Sequence, residues 1–182
     1  KEEALSEISE QTDKMTKLVS ALLTLSRTEN GDKRYKLEST DISSLIKSAA
    51  QKLTLQKGIT LESDIDENIF MPAQPELFLL MAENLLSNAV KYGKENGEIR
   101  LSLKKSGNDV ILAVKDNGIG IKEENLEKIF GRFFRADESR SKTEGFGLGL
   151  SLVKQIAELH SGEVTVFSVY GEGSEFKIIF RQ

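Results

Sequence analysis

The chain of 182 residues contains no cysteine, which excludes a disulfide framework and any metal centre built on thiolates, and suits a reducing compartment. No apolar run approaches the roughly 20 residues that a membrane-spanning helix needs, and no signal-peptide pattern is visible. Lysines and arginines never gather beyond short groups, and 25 of them face 29 acidic residues, for a net charge of −4. The chain therefore lacks the basic stripe that nucleic acid requires, and no nucleic-acid partner is expected. There is no Walker-type Gly-Lys-Ser/Thr and no dinucleotide fingerprint behind a strand. Only one histidine is present. The length suits one ordinary domain plus an appendage, and is sufficient to bury a core.

What is there begins with a periodic stripe. Leu5, Ile8, Met15, Val19 and Leu22 follow a three-four alternation, Thr12 and Ser26 fill its other slots, and Leu18, Leu23 and Leu25 widen it. That is the pattern of a bundle helix packed against more than one neighbour, or of a surface helix folded onto the domain behind it. Glu29-Asn-Gly31-Asp ends it with turn chemistry, so residues 1–30 are read as one unit and residues 31–182 as another. Because the pattern is already under way at Lys1, further sequence is expected upstream.

Beyond residue 30 the signals alternate. A short strand is expected over residues 35–39. Asp41 then caps a helix running to about Lys57, with Ile42, Leu45, Ile46, Ala49 and Leu53 inward and Gly58 as its stop. Residues 59–65 read as a strand, and Pro75 opens a long helix to Tyr92. Residues 98–105 and 110–116 form a hairpin around Ser106-Gly-Asn-Asp109. A short helix follows over residues 123–130, then a polar loop over residues 131–147 of the length typical of lids and binding loops. A helix over residues 148–160 and a closing hairpin around Gly171 and Gly173 complete the chain. The sum is α+β: a two-layer sandwich of a mixed sheet with helices on one face, plus the N-terminal bundle helix.

Three segments in fixed order carry chemistry. Asn84, Asn88 and Lys91 share one side of the long helix, since positions three and four apart are neighbours. A carboxamide oxygen from Asn88 can take one site of a magnesium ion otherwise held by water and phosphate, and Lys91 can meet phosphate charge. Asp116 ends a strand and precedes Gly118 and Gly120, which presents a fixed acceptor that suits the amino group of adenine and rejects the oxo group of guanine. Gly145, Gly147 and Gly149 stand just before an apolar helix, where successive N–H groups can face an anion. Each has a plainer reading: asparagines bridging backbone, a common Asp-Asn-Gly turn, a glycine hinge. In Phe130-Gly-Arg132-Phe133-Phe134-Arg135 the rings can pin one end of the lid to the core while Arg135 reaches transferring phosphoryl charge.

Assembled, these residues resemble the catalytic, ATP-binding domain of bacterial sensor histidine kinases, members of the GHKL superfamily with the Bergerat fold. The resemblance runs from about Asp41 to Phe180, and the helix ending Leu22-Leu-Thr-Leu-Ser-Arg27 resembles the second helix of that family's dimerisation and phosphotransfer hairpin. It implies an N box at Asn84 to Tyr92, with Asn88 as magnesium ligand, Asn84 and Lys91 beside the phosphates, and Tyr92 near the adenine. Asp116 to Gly120 becomes the G1 box, Phe130 to Arg135 the F box, with Phe133 at the nucleotide, and Gly145 to Leu150 the G2 box, where Leu148 also faces the ligand. Gly131, Gln74 and Phe146 depart from the family's usual residues without removing a proposed ligand. The family's phosphoacceptor histidine, which is followed by an acidic residue and a proline, has no match here. His160 closes a helix and reads as a structural cap.

The resemblance further implies ATP and Mg²⁺ as cofactors, a response-regulator receiver domain as partner, and a homodimer formed by the full protein through the hairpin. It places the domain in the cytoplasm of a membrane-anchored parent. Two rivals stay open. A GHKL-type ATPase normally carries a glutamate four residues before the metal-binding asparagine, where this chain has Asn84. A nucleotide-sensing module without catalysis would keep the motifs and lack the transfer.

Overall fold

A computed structural model describes residues 19, 23, 36–136 and 146–181. The bundle helix and its boundary fall outside the described residues except for Val19 and Leu23, both helical and about half exposed. Gly145 and most of the expected lid also fall outside them.

The described chain runs β1 (Glu38–Asp41), α1 (Ile42–Lys52), β2 (Thr60–Ile65), β3 (Phe70–Ala73), α2 (Pro75–Tyr92), β4 (Glu98–Ser106), β5 (Asp109–Asp116), α3 (Glu123–Leu126), α4 (Gly149–Leu159), β6 (Gly162–Val169) and β7 (Gly173–Phe180). Five strands form one mixed sheet in the order β2-β4-β5-β7-β6, parallel only between β2 and β4. β1 and β3 make a separate antiparallel pair.

Period-two alternation decides which face is covered. Ile99, Leu101 and Leu103 of β4, Leu112 and Val114 of β5, and Phe176 and Ile178 of β7 are buried on one side. Phe78, Met81, Leu85 and Leu86 of α2 and Val153 and Ile156 of α4 join them in a single core. Arg100, Lys115, Glu175 and Thr165 alternate with the buried set and face the other way. The expected two-layer arrangement is therefore what the chain adopts.

Local signals fixed several ends. Asp41 caps α1, its carboxylate accepting from the Ser44 N–H at 3.1 Å and from the Ser44 hydroxyl at 2.6 Å. These bonds, the hydroxyl first, hold its pKa below the usual carboxylate value. Pro75 occupies the first turn of α2, and the Gln74 side chain accepts from the Leu77 N–H at 2.6 Å as its cap.

Three expectations need correction. α1 stops at Lys52 rather than near Lys57: Leu53 already has extended backbone, φ −66° and ψ 120°, its N–H donating to the Ala50 carbonyl at 3.3 Å, while Lys57 and Gly58 belong to a separate turn with positive φ, 56° and 67°. The helix after β5 covers only Glu123–Leu126; like charges at Glu123 and Glu127 oppose a further turn, and the chain tightens into bonds from Lys128 N–H to Asn125 and from Gly131 N–H to Lys128. No strand was expected at Phe70–Ala73, where β3 forms with Pro72 inside it. It survives as a strand because, among the described residues, it pairs with β1 alone.

Candidate functional site

The strand order brings the three motif segments to one end of the sheet. β5 delivers Asp116, α2 crosses above it with Asn88 and Lys91, and β7 begins beside it, Asp116 pairing in register with Ser174. Between them lies a cavity of about 290 Å³ whose walls include Asn88, Lys91, Tyr92, Asp116, Gly120 and Arg135. Six of the residues singled out from the sequence therefore share one space.

Asp116 is 7% exposed. Its carboxylate accepts from the Gly118 N–H at 2.8 Å and from the backbone N–H of Ser174. Burial nevertheless dominates and pushes its pKa above the usual carboxylate value, the two N–H donors opposing that rise. Gly118 and Gly120 are required by close approach. A Cβ at Gly118 would lie 2.3 Å from the Tyr92 carbonyl oxygen, and one at Gly120, where φ is +65°, would lie 2.1 Å from the Val169 carbonyl oxygen. The glycine turn thus presses Asp116 against the end of α2 on one side and the β6–β7 hairpin on the other.

The end of α2 is tied with similar economy. Lys57 donates to the carbonyls of Lys91 at 3.0 Å and Gly93 at 3.1 Å, and Ile119 N–H donates to the Tyr92 carbonyl at 3.1 Å. Three successive carbonyls at a helix C-terminus are thereby satisfied, two of them by a cation that also complements the helix dipole. The Lys91 ammonium stands 4.9 Å from the centre of the Tyr92 ring.

Asn84 lies one turn before Asn88. Its amide donates to the Leu80 carbonyl at 2.8 Å, and both asparagines abut α4: a Cβ at Gly149 would be 2.9 Å from Asn84 Oδ1 and 3.8 Å from Asn88 Nδ2. The N-terminus of α4 therefore meets the carboxamide face of α2. Leu148 is buried at that N-terminus. Gly147, φ +71°, packs on the backbone of Phe133 and Phe134, joining the two ends of the lid.

The aromatics at the lid's start divide their tasks. Phe130 packs edge-on to Phe176 at 6.5 Å, and Phe134 reaches both core and cavity. Phe133 differs from the expectation: it takes φ +61° and is 60% exposed, so Phe134 rather than Phe133 forms the wall. Lys57, Lys122, Tyr170 and Ser174 also line the cavity and went unnoticed in the sequence. The signal for Ser174 was its place after Gly173 at the start of β7. Lys57 and Tyr170 had none, since only strand order brings their turns to Asp116.

Residues 73–182 match the family model described as histidine kinase-, DNA gyrase B-, and HSP90-like ATPase. The chain belongs to that family. Among relatives, the sensor protein kinase WalK of Staphylococcus saprophyticus is 34% identical over 179 residues, 96% of this chain and 29% of its own. The sensor-like histidine kinase SenX3 of Mycolicibacterium smegmatis is 30% identical over 172 residues, 92% of this chain and 45% of its own. The chain thus spans less than half the length of these relatives. In fold it is similar to the Acinetobacter baumannii histidine kinase AdeS, TM-score 0.81, 22% identity, covering 100% of this chain and 85% of that one. It is also similar to full-length ShkA solved in complex with AMPPNP, TM-score 0.82, 24% identity, covering 98% of this chain and 38% of that one. The Bergerat-type α+β fold expected from the motifs is therefore the one observed, and the relatives named here are sensor kinases. Among the described residues no helix is long and apolar enough to cross a membrane.

Proposed function

We propose that this domain holds Mg-ATP for transfer of the γ-phosphoryl group to a histidine on a helix outside this chain, and that the parent protein then passes the group to an aspartate of a response-regulator receiver domain. The observation that carries the reading is the convergence of Asn88, Lys91, Asp116 and Arg135 on one cavity. In this reading Asp116 accepts from the adenine amino group, and Tyr92 and Gly120 border the base. Lys91 and the N–H groups around Gly147 and Gly149 meet the phosphates. Arg135 complements charge on the transferring group.

Among the described residues no group of three or more His, Cys, Asp or Glu is placed to hold a metal. A magnesium ion bound chiefly by phosphate oxygens and water needs no such group, so the single carboxamide oxygen of Asn88 fits it. When bound, that ion would neutralise phosphate charge. The N-terminus of α4 at Gly149 stands beside the carboxamide of Asn88.

The receiving imidazole nitrogen attacks the γ-phosphorus, an N–P bond forms, the bond to the β–γ bridging oxygen breaks, and ADP leaves. His160 is a poor receiver: it is 2% exposed, its Nε2 accepts from the Gln74 N–H at 3.0 Å and its Nδ1 faces the Ile156 carbonyl at 2.7 Å. The ATPase rival lacks its base, because Asn84 stands where a glutamate would activate water. Membrane anchoring of the parent, and its dimerisation through residues 1–30, belong to the same reading.

Calorimetry with ADP and AMPPNP, followed by incubation with γ-labelled ATP, tests it. Nucleotide should bind, no acid-labile, base-stable label should appear on this chain, and label should appear on a separately supplied domain bearing the hairpin histidine. Hydrolysis faster than about one turnover per minute without that domain would favour the ATPase.

A further inference from the structure

Tyr170 occupies the tip of the β6–β7 hairpin and lines the same cavity as Asp116, together with Lys122. The Lys122 ammonium stands 5.6 Å from the centre of the Tyr170 ring, which repeats the pairing of Lys91 with Tyr92 at 4.9 Å. The backbone of Ile119 connects the two pairs. Its N–H donates to the Tyr92 carbonyl at 3.1 Å, and its own carbonyl accepts from the Gly171 N–H at 2.8 Å.

The hairpin tip has little freedom beside this loop. Ile121 N–H donates to the Ser168 hydroxyl at 2.8 Å, and that hydroxyl donates to the Gly173 carbonyl at 2.9 Å. The Ser174 N–H bonds Asp116, and Gly120 and Gly173 leave no room for a Cβ against the backbone at Val169 and Asp116. Tyr170 is consequently held at a fixed position relative to Asp116 although its side chain is 58% exposed. An exposed aromatic ring that lines a cavity offers a π-face to a ligand, and a single ammonium such as that of Lys122 can cover only one face.

We infer that Tyr170, backed by Lys122, is a binding residue of this site: its ring packs on the purine of the bound nucleotide and supplies an aromatic wall separate from that of Tyr92. The inference rests on the reading of the cavity as an adenine-nucleotide site. Asp116 selects the base by hydrogen bonding, whereas Tyr170 adds affinity through stacking, which every base can accept.

ADP calorimetry on the whole chain tests this with Tyr170→Ala, Tyr170→Leu and Tyr170→Phe, and with Phe167→Ala as a control on the outer face of the sheet, where Phe167 is 71% exposed. Tyr170→Ala and Tyr170→Leu should weaken ADP about five- to tenfold, the low end of base stacking on an aromatic ring. Tyr170→Phe should stay within about twofold and Phe167→Ala should have no effect. Apo melting midpoints should not move, because the ring is largely in solvent. Wild-type affinity in Tyr170→Ala, or full affinity in Tyr170→Leu, would overturn the inference and leave the nucleotide site standing. Failure of the wild-type chain to bind ADP would overturn the site reading, and this inference with it.

Discussion

Replacing His160 with phenylalanine should lower the stability of the domain by about 1–3 kcal/mol at pH 7.5. The side chain is 2% exposed and lies edge-on to Phe78, ring centres 5.5 Å apart and planes at 88°. Phenylalanine preserves that ring and most of its volume, so the loss comes from two hydrogen bonds. The Ile156 carbonyl keeps another donor, the backbone N–H of residue 160 at 3.2 Å. The Gln74 N–H, at the junction of β3 and α2, loses the imidazole Nε2 as its acceptor. One part-buried amide without a partner sets the magnitude, and for a domain of this size about 2 kcal/mol corresponds to about 4–8 °C in melting midpoint. Acid sharpens the test. Burial lowers the His160 pKa from its ordinary value of 6.5, so below that value the unfolded chain takes up a proton that the folded chain resists. The contribution of the imidazole is full above about pH 6.5 and declines as the pH falls toward the folded-state pKa. Urea unfolding of both proteins at pH 7.5 and pH 5.5 should show a gap that narrows on acidification. Equal stability at pH 7.5, or a gap that widens in acid, would refute this account of the histidine as a strut.

Asp116→Asn should weaken ADP by about tenfold or more, the worth of a hydrogen bond to a charged group, as read by calorimetry. Its apo melting midpoint at pH 7.5 should match or exceed that of the parent. The raised pKa means that the favourable contribution of this carboxyl exists at low pH and is lost as pH rises through the folded-state value. Gly107→Ala and Gly120→Ala start from similar φ, +62° and +65°, but a Cβ at Gly107 meets nothing within 4 Å whereas one at Gly120 meets the Val169 carbonyl oxygen at 2.1 Å. Chemical denaturation should therefore show about 1–2 kcal/mol lost at Gly107 from the left-handed backbone, a clearly larger loss at Gly120, and weakened nucleotide binding at Gly120 alone. Asp41→Ala should cost about 0.5–2 kcal/mol as a lost helix cap, measurable by urea unfolding at pH 7 and shrinking as pH drops below the carboxylate range, since this pKa is lowered in the fold.

Local chemistry wrote much of the architecture into the order of residues. A capping aspartate at Asp41, a proline at Pro75, the turn at Ser106 to Asp109 and period-two alternation in β4, β5 and β7 each act within a few residues of where they appear, so element type and approximate limits could be read directly. The glycines around Asp116 and before α4 marked close backbone approaches in the same way, through backbone that only glycine allows. Tertiary structure alone decided which of those residues meet. β3 exists because β1, whose residues pair with it across separations from Asp41↔Phe70 to Glu38↔Ala73, supplies its ladder. Phe134 takes the wall position expected of Phe133 because Phe133 adopts a left-handed conformation beside Gly147. Lys57 and Tyr170 enter the cavity because β2 pairs with β4 and β7 pairs with β5, bringing two remote turns to the end of β5. Periodicity and turn chemistry are properties of neighbours in the chain, whereas a binding wall is a property of neighbours in space, and strand pairing is the step that converts the first into the second.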